Sequence, residues 1–260
     1  MSITQFPQNL KSRENYIFDQ IQQGNYAGML TQLSYIVNGK QVELLVMEDA
    51  LTVNGVRVNV SAAFQQKLAD LFDASLPTAM IADLMYVHAV RRADPCPMKI
   101  SSSVETMVAH SNAVGKQLVL PTGLASTTGK HWILDKKLEQ LPGRACNYGW
   151  HFTGSSYKGI NGFPNASGYA GKNVKVIQPN ATAHDSAHSD YSQICQLVSQ
   201  KCWINGSEHR LSDVLKDANL ALLVSHTGSL KLDRQPGVIL YTGTKIQLPV
   251  RLPTVCQPTV

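Results

Sequence analysis

Four of the chain's eight histidines, His131, His151, His184 and His188, fall within one 58-residue stretch. Histidine is the commonest metal ligand and the commonest acid–base group near neutral pH, so chemistry is to be sought there first. The densest motif is His184-Asp185-Ser186-Ala187-His188-Ser189-Asp190-Tyr191-Ser192. Read as a polar loop entering a strand at Tyr191, it can present His and Asp to a metal. It can equally present Ser192 as a nucleophile with a His base and an Asp orienter. A plain loop capped by its own Asp and Ser side chains is the bland alternative. Neither HExxH nor GxSxG occurs, so the residue types alone leave these open.

Two shorter motifs accompany it. In Pro142-Gly143-Arg144 to Asn147-Tyr148-Gly149-Trp150-His151, a strand over residues 145–152 would put Tyr148, Trp150 and Phe152 on one face. Asn147, Gly149 and His151 would take the other, and Gly149 would let a ligand approach beside His151. The alternative is a core strand with its aromatics inside and His151 in water. In Gly129-Lys130-His131-Trp132, the lysine is ordinarily a solvated charge, but in a pocket it would hold an anionic group.

The elements that must position these residues divide at about residue 115. Before it, a helix is expected over 12–23, stopped by Gly24. Asn38-Gly39 and Asn54-Gly55 each separate alternating apolar runs, the strongest short hairpin signal, and together predict a small antiparallel meander. Ser61 is a candidate N-cap for a helix with Phe64, Leu68, Leu71 and Phe72 on one face. Leu76-Pro77-Thr78 starts a second helix with Ile81, Leu84, Met85 and Val87, and residues 103–114 form a third.

After Gly115 the texture turns to Gly, Ser, Thr, Asn, His and aromatics. Strands are expected over 131–134, 145–152, 174–178, 194–198 and at 203–204, and a helix over 211–222. Five glycines between Phe152 and Gly171 read as a long surface loop. The tail from Gly237 to Val260 reads as extended, Pro-containing chain. The expectation is one α+β domain over 1–260. Residues 1–115 form a helical-plus-meander half, and residues 116–260 form a site-bearing half with a mixed or antiparallel sheet and long Gly-rich loops.

Composition narrows the classes. The chain has 260 residues, 43% apolar and only 16% charged, with a net charge of +5. Low charge with many short polar residues suits a folded, loop-rich protein and not a disordered one. The basic residues are dispersed without interleaved aromatics, which argues against nucleic acid. No run of about 18 apolar residues exists, so no membrane span is expected. Met1 to Lys11 has no apolar signal core, so the chain is expected to start in a cytoplasm. Its destination would be a phage particle or the cell envelope. GxGxxG and P-loop patterns are absent, so no nucleotide cofactor is expected.

The five cysteines, at 96, 146, 195, 202 and 256, form no CxxC pair. An odd number argues against a full disulfide framework, and buried free thiols are the favoured reading. Cys195 facing Cys202 across a hairpin, and Cys146 as a nucleophile near His151, are the alternatives.

The combination Leu76-Pro77-Thr78, Pro142-Gly143-Arg144, Tyr148-Gly149-Trp150-His151, Ile177-Gln178-Pro179, His184 and Asp190-Tyr191-Ser192 resembles a poorly characterised family of secreted bacterial and phage-related proteins. The likeness runs from about residue 76 to about 222. It implies a common site built from His151, His184, Asp190 and Ser192. The family pattern places His and Gly after that serine; here stand Gln193 and Ile194, which puts activity in doubt, with His188 a candidate replacement.

Two functions follow as expectations. One is a hydrolase of a cell-envelope polymer such as peptidoglycan. Its zinc version would use His151, His184 and Asp190 as ligands to activate a water. Its metal-free version would use Ser192 with His184 as base. In either version Lys130, Arg144, Tyr148, Trp150 and Tyr191 would bind substrate, Lys130 or Arg144 holding negative charge. The other is a non-catalytic virion or tail protein, or a wall-binding protein, whose partners are other virion subunits.

Overall fold

The computed structural model describes residues 5–251 and has an α+β fold. The helices are α1 (Leu10–Gln22), α2 (Ala62–Leu71), α3 (Ala79–His88), α4 (Val104–Gly115) and α5 (Leu211–Lys216). The strands that matter for the site and its support are β1 (Leu30–Val37), β2 (Lys40–Met47), β3 (Lys130–Ile133), β4 (Arg144–Thr153), β5 (Val174–Asp185), β6 (Gln193–Ile194), β7 (Val198–Ile204) and β8 (Ser207–Arg210).

Local chemistry accounts for the boundaries. The side chains of Asn9, Ser61, Thr78 and Ser103 each accept a hydrogen bond from a backbone N–H in the first turn of α1, α2, α3 and α4. Such caps satisfy donors that have no partner inside the helix. The β1–β2 hairpin turns at Asn38 and Gly39, both at positive φ, and Asn54-Gly55 does the same. The expected meander is nevertheless not formed. The first hairpin lies in one sheet; the second, only two residues a side, pairs with Tyr26–Ala27 in another. A third Asn-Gly turn, at 205–206, joins β7 to β8 by the same geometry.

Two sheets organise the chain. The first runs β8-β7-β2-β1 and ends on Val250–Arg251, so it draws strands from both sides of residue 115. The second runs from Phe163–Pro164 through β5, β4 and β3 to β6. Residues 193–198 pass from the second sheet into the first. The expected strand over 194–198 is therefore two strands with a break between them. Backbone bonds from Met47, Leu51 and Val60 to Leu197, Cys195 and Gln193 hold that crossing.

The main core lies between the first sheet and α1, α2 and α5, with residues of α3 and α4, and it takes in Trp132 of β3 and the adjoining Leu134. A smaller core packs Ala79 and Ala82 of α3 on Ile133, Cys146, Tyr148 and Val176. The expected helix over 211–222 ends at Lys216, followed by a short turn of 3₁₀ helix at Ala221–Leu223. The strand expected over 174–178 continues to Asp185, so His184 sits on a strand and not in a loop. Cys96, Cys146, Cys195 and Cys202 are free thiols, so no bridge joins Cys195 to Cys202. Cys256 and the tail beyond Arg251 lie outside the described residues. Among the described residues, no helix is long and apolar enough to cross a membrane.

Candidate functional site

β4 carries the site, and its phase is not the simple alternation that its residues imply. Gly149 and Trp150 both have positive φ, 131° and 59°. The pairing with β5 shifts register between Asn147 and Gly149. An extra residue in a strand flips everything beyond it to the other face. Tyr148 and His151 therefore share a face and Trp150 takes the opposite one, which corrects the expected grouping of Tyr148 with Trp150.

The first face meets α3. Asp83 is fully buried there, and its Oδ1 accepts from Tyr148 Oη at 2.7 Å and from His151 Nε2 at 2.6 Å. Its Oδ2 accepts from the Ser167 N–H at 3.1 Å and from the Ser167 hydroxyl. The Ala166 N–H closes the network on Tyr148 Oη at 2.8 Å. Burial pushes the Asp83 carboxyl up, but His151, Ser167 and Tyr148 together hold it below the ordinary carboxylate range. Tyr86 stacks on His151 with ring centroids 5.0 Å apart. Beside them His131, pushed down to about 3 mainly by burial, is neutral. Both carboxylate oxygens are occupied, which is the condition for a buried polar network to rigidify a fold.

The second face differs. Lys130 of β3 places Nζ 3.6 Å from Asp190 Oδ2, with the two side chains 11% and 7% exposed. Nζ also lies 5.3 Å from the Trp150 ring centroid. Asp190 Oδ1 accepts from the Ser192 N–H at 2.8 Å and from the Ser192 hydroxyl. The side-chain Oε1 of Gln193 accepts from the Asp190 N–H, and Asn59 Nδ2 donates to the Asp190 backbone carbonyl. Burial would raise the Asp190 carboxyl, but Lys130, Ser192 and Gln193 bring it below its usual value. Burial lowers the Lys130 ammonium, with Asp190 opposing. His110 of α4 joins them, its ring 5.3 Å from Tyr191 and 6.2 Å from Trp150. Burial lowers it to about 4, so it is neutral at pH 7. Polar atoms here are buried without a protein partner: Trp150 Nε1, His110 Nε2, Gln193 Nε2 and Asn59 Oδ1. Each such atom costs about 1–3 kcal/mol, so the cluster beside the ion pair calls for an explanation; His131 Nδ1, beside the first face, is unpartnered as well.

The other residues singled out in the sequence fall as follows. Tyr191 Oη binds the backbone of Met98, at 2.6 Å from its N–H and 3.0 Å from its carbonyl. This holds the stretch after α3 over the second face. Arg144 points along the sheet and clamps β5 through the carbonyls of Thr182 and Ala183. His184 stacks on His188 at 4.2 Å and meets the edge of Trp132 at 5.9 Å, on the rim of the Lys130 face.

His151 and His184 do not converge. Ala145 pairs with His184, and His151 lies six residues further along β4. At about 3.3 Å per residue that is roughly 20 Å of strand. The set His151, His184 and Asp190 is therefore not a shared ligand shell. Among the described residues, no group of three or more His, Cys, Asp or Glu side chains is arranged to hold a metal. The Ser192 hydroxyl faces Asp190 and not His184. The Cys146 thiol is pushed up to about 12 by burial and packs under α3, so it is no thiolate nucleophile.

Three important residues escaped the sequence reading. Asp83 is a single carboxylate inside an otherwise apolar helix, AMIADLMYVH, and that isolation is a signal of a buried partner. His110 lies three residues after Met107 and four before Val114, on the buried stripe of α4. Asn59, just before the Ser61 cap, carries no signal of its own.

No family model, no curated protein and no solved structure is significantly similar to this chain. The site is thus defined by its own geometry: an α+β frame with one satisfied histidine–carboxylate network and one unsatisfied lysine–carboxylate cluster.

Proposed function

We propose that the protein is a hydrolase acting on a cell-envelope polymer, with its reacting bond held on the Lys130 face. The observation that carries this reading is the buried Lys130–Asp190 pair with neutral His110 and the Trp150 N–H beside it. These are the parts of a metal-free acid–base site. With its proton on Nδ1, His110 offers a lone pair at Nε2 to take a proton from an attacking water. Lys130 and the Trp150 N–H supply positive charge and a hydrogen bond to the oxyanion that develops. Asp190 holds Lys130 in place and favours the imidazolium that forms on His110.

In this reading His151 positions and does not react. Its bond to Asp83 locks β4 at the irregular turn that aims Trp150 at Lys130. Digestion of purified peptidoglycan, followed by mass spectrometry of the soluble fragments, tests the proposal. Wild type should release fragments and Asp190→Asn should release far fewer; an inert wild type would refute it.

One observation favours the second reading, a non-catalytic wall-binding or virion protein. The Asp190 carboxylate is engaged on both oxygens, and Gln193 supplies an amide, which transfers no proton. Under that reading the protein sediments with particles or walls and a zymogram shows no lysis.

A further inference from the structure

We infer that the outward face of the first sheet is a binding site for an uncharged saccharide, with the Trp203 indole as its platform. The site is separate from the Lys130 face and stands whether or not the protein is a hydrolase. Strand alternation creates it. Val42 and Leu44 of β2 and Cys202 of β7 are buried in the core. Their neighbours Glu43, Leu45, Lys201 and Trp203 therefore lie on the other side of the sheet. There Gln32, Glu43, Leu45, Lys201, Trp203 and Val250 line a cavity of about 540 Å³. Leu45 and Trp203 are half-buried and Val250 is exposed, so the cavity has an apolar floor that solvent reaches. Register sets the polar groups beside it. Glu43 pairs with Trp203 on one side and with Ser34 on the other, and Gln32 pairs with Leu45.

The polar groups are fixed in advance. Gln32 Nε2 donates to Glu43 Oε2 at 2.9 Å, and Gln41 Nε2 donates to Glu43 Oε1 at 2.8 Å. Gln32 Nε2 also donates to the Ser34 hydroxyl oxygen at 3.0 Å. A row of planar side chains held this way lowers the ordering cost of binding. A carboxylate has about four acceptor sites, so Glu43 can still accept from two ligand hydroxyls. The indole, Leu45 and Val250 offer the apolar surface on which the C–H face of a pyranose packs. An apolar floor with a few convergent polar groups, in a volume of about 300–1,000 Å³, is the usual makeup of a small-ligand site. Charge selects among occupants. Glu43 and Lys201 bring opposite charges to the lining, so a polyanion or a polycation gains little there. A second copy of the chain fits poorly, because the centre of a stable protein interface is depleted of charged residues and here two of them adjoin Trp203. Sugar hydroxyls both donate and accept, which matches the carboxylate, the ammonium and the amides together.

The test uses the full chain and uncharged tetrasaccharides of glucose, mannose and N-acetylglucosamine, with heparin as the polyanion control. Proton–nitrogen correlation NMR maps the contact and calorimetry gives the affinity. At least one tetrasaccharide is expected to shift the Trp203 indole N–H and the amides of Gln32, Glu43 and Lys201, and to leave Lys130 and Trp150 unmoved. Trp203→Ala should weaken binding about 10-fold or more, and the wild-type shift map needs no variant to fold. Gln32→Ala, which frees one side of Glu43, should weaken it less. Four results would overturn the inference: no binding of any tetrasaccharide at millimolar concentration, equal affinity in Trp203→Ala, heparin binding more tightly at the same amides, or a dimer that Trp203→Ala disperses. Overhauser contacts from residues 252–260 to the Trp203 ring that sugar leaves unchanged would assign the face to the chain's own end, and would overturn it too. Peptidoglycan digestion reads the hydrolase proposal separately, so either can fail alone.

Discussion

Asp83 Oδ1 receives two hydrogen bonds at once, from Tyr148 Oη at 2.7 Å and from His151 Nε2 at 2.6 Å. Through them a single carboxylate ties α3 to β4, and through Ser167 it ties in the glycine-rich stretch as well. Because the pair is buried, removing one partner strands the other. Asp83→Ala is expected to lower unfolding free energy by about 3–5 kcal/mol. Guanidinium denaturation followed by circular dichroism measures it; a loss under 1 kcal/mol would contradict the structural role given to this network.

Gly149 sits at φ 131°, where a side chain is strained, and a Cβ there would come within 3.3 Å of the His131 ring. Gly149→Ala should therefore cost about 1–3 kcal/mol. It should also disturb the adjoining Trp150, which has its own positive φ. Thermal melts and the tryptophan emission maximum read the two effects together. An unchanged spectrum would mean that the phase flip does not depend on this glycine.

Acid sensitivity follows from two histidines. Burial lowers His110 to about 4 and His131 to about 3, against an ordinary value of 6.5. Between those values the unfolded chain binds protons that the folded one refuses, so folding weakens as pH falls from about 6.5. At pH 5 the cost is on the order of 2 kcal/mol for each. Melting temperature should fall from pH 7 to pH 5, and His110→Phe should flatten that slope. Equal slopes for the two proteins would rule out the buried, neutral imidazole.

Under the proposed hydrolase reading the same groups shape the rate. A hydrolase that uses neutral His110 as base loses kcat/KM as pH drops through about 4, where burial places that histidine. It loses it again when Lys130 deprotonates, below the ordinary lysine value. Initial rates across pH 3–10 should trace this broad plateau, and Lys130→Met should abolish the activity along with its alkaline limb. Prior treatment with a chelator should leave the rate unchanged, because His151, His184 and Asp190 do not share a ligand shell. A chelator-sensitive rate restored by zinc would return the argument to metal chemistry.

Much of the frame is legible before folding. The Asn38-Gly39 turn, the Ser61 cap and the helix after Pro77 are local: each rests on the φ preference or hydrogen-bond habit of residues within four positions. What escaped is non-local. Asp83 and His151 are 68 positions apart, and nothing in the spacing of either announces the other. The two Asn-Gly hairpins look like one meander because turn chemistry specifies a hairpin but not its sheet.

Sequence alone placed Lys130, Trp150, Asp190, Tyr191 and Ser192 in the half of the chain rich in histidine, aromatic and short polar residues, since side-chain type and polarity are properties of residues. Tertiary structure decided which of them meet. It took His151 away from His184 and gave it to Asp83, and it brought His110 from α4 to the Lys130–Asp190 pair. The physical reason is the phase of β4. Two successive positive φ angles, at Gly149 and Trp150, turn Trp150 to the side opposite Tyr148 and bring His151 to the side of Tyr148, and pairing with β5, not the order of letters, sets where that turn falls.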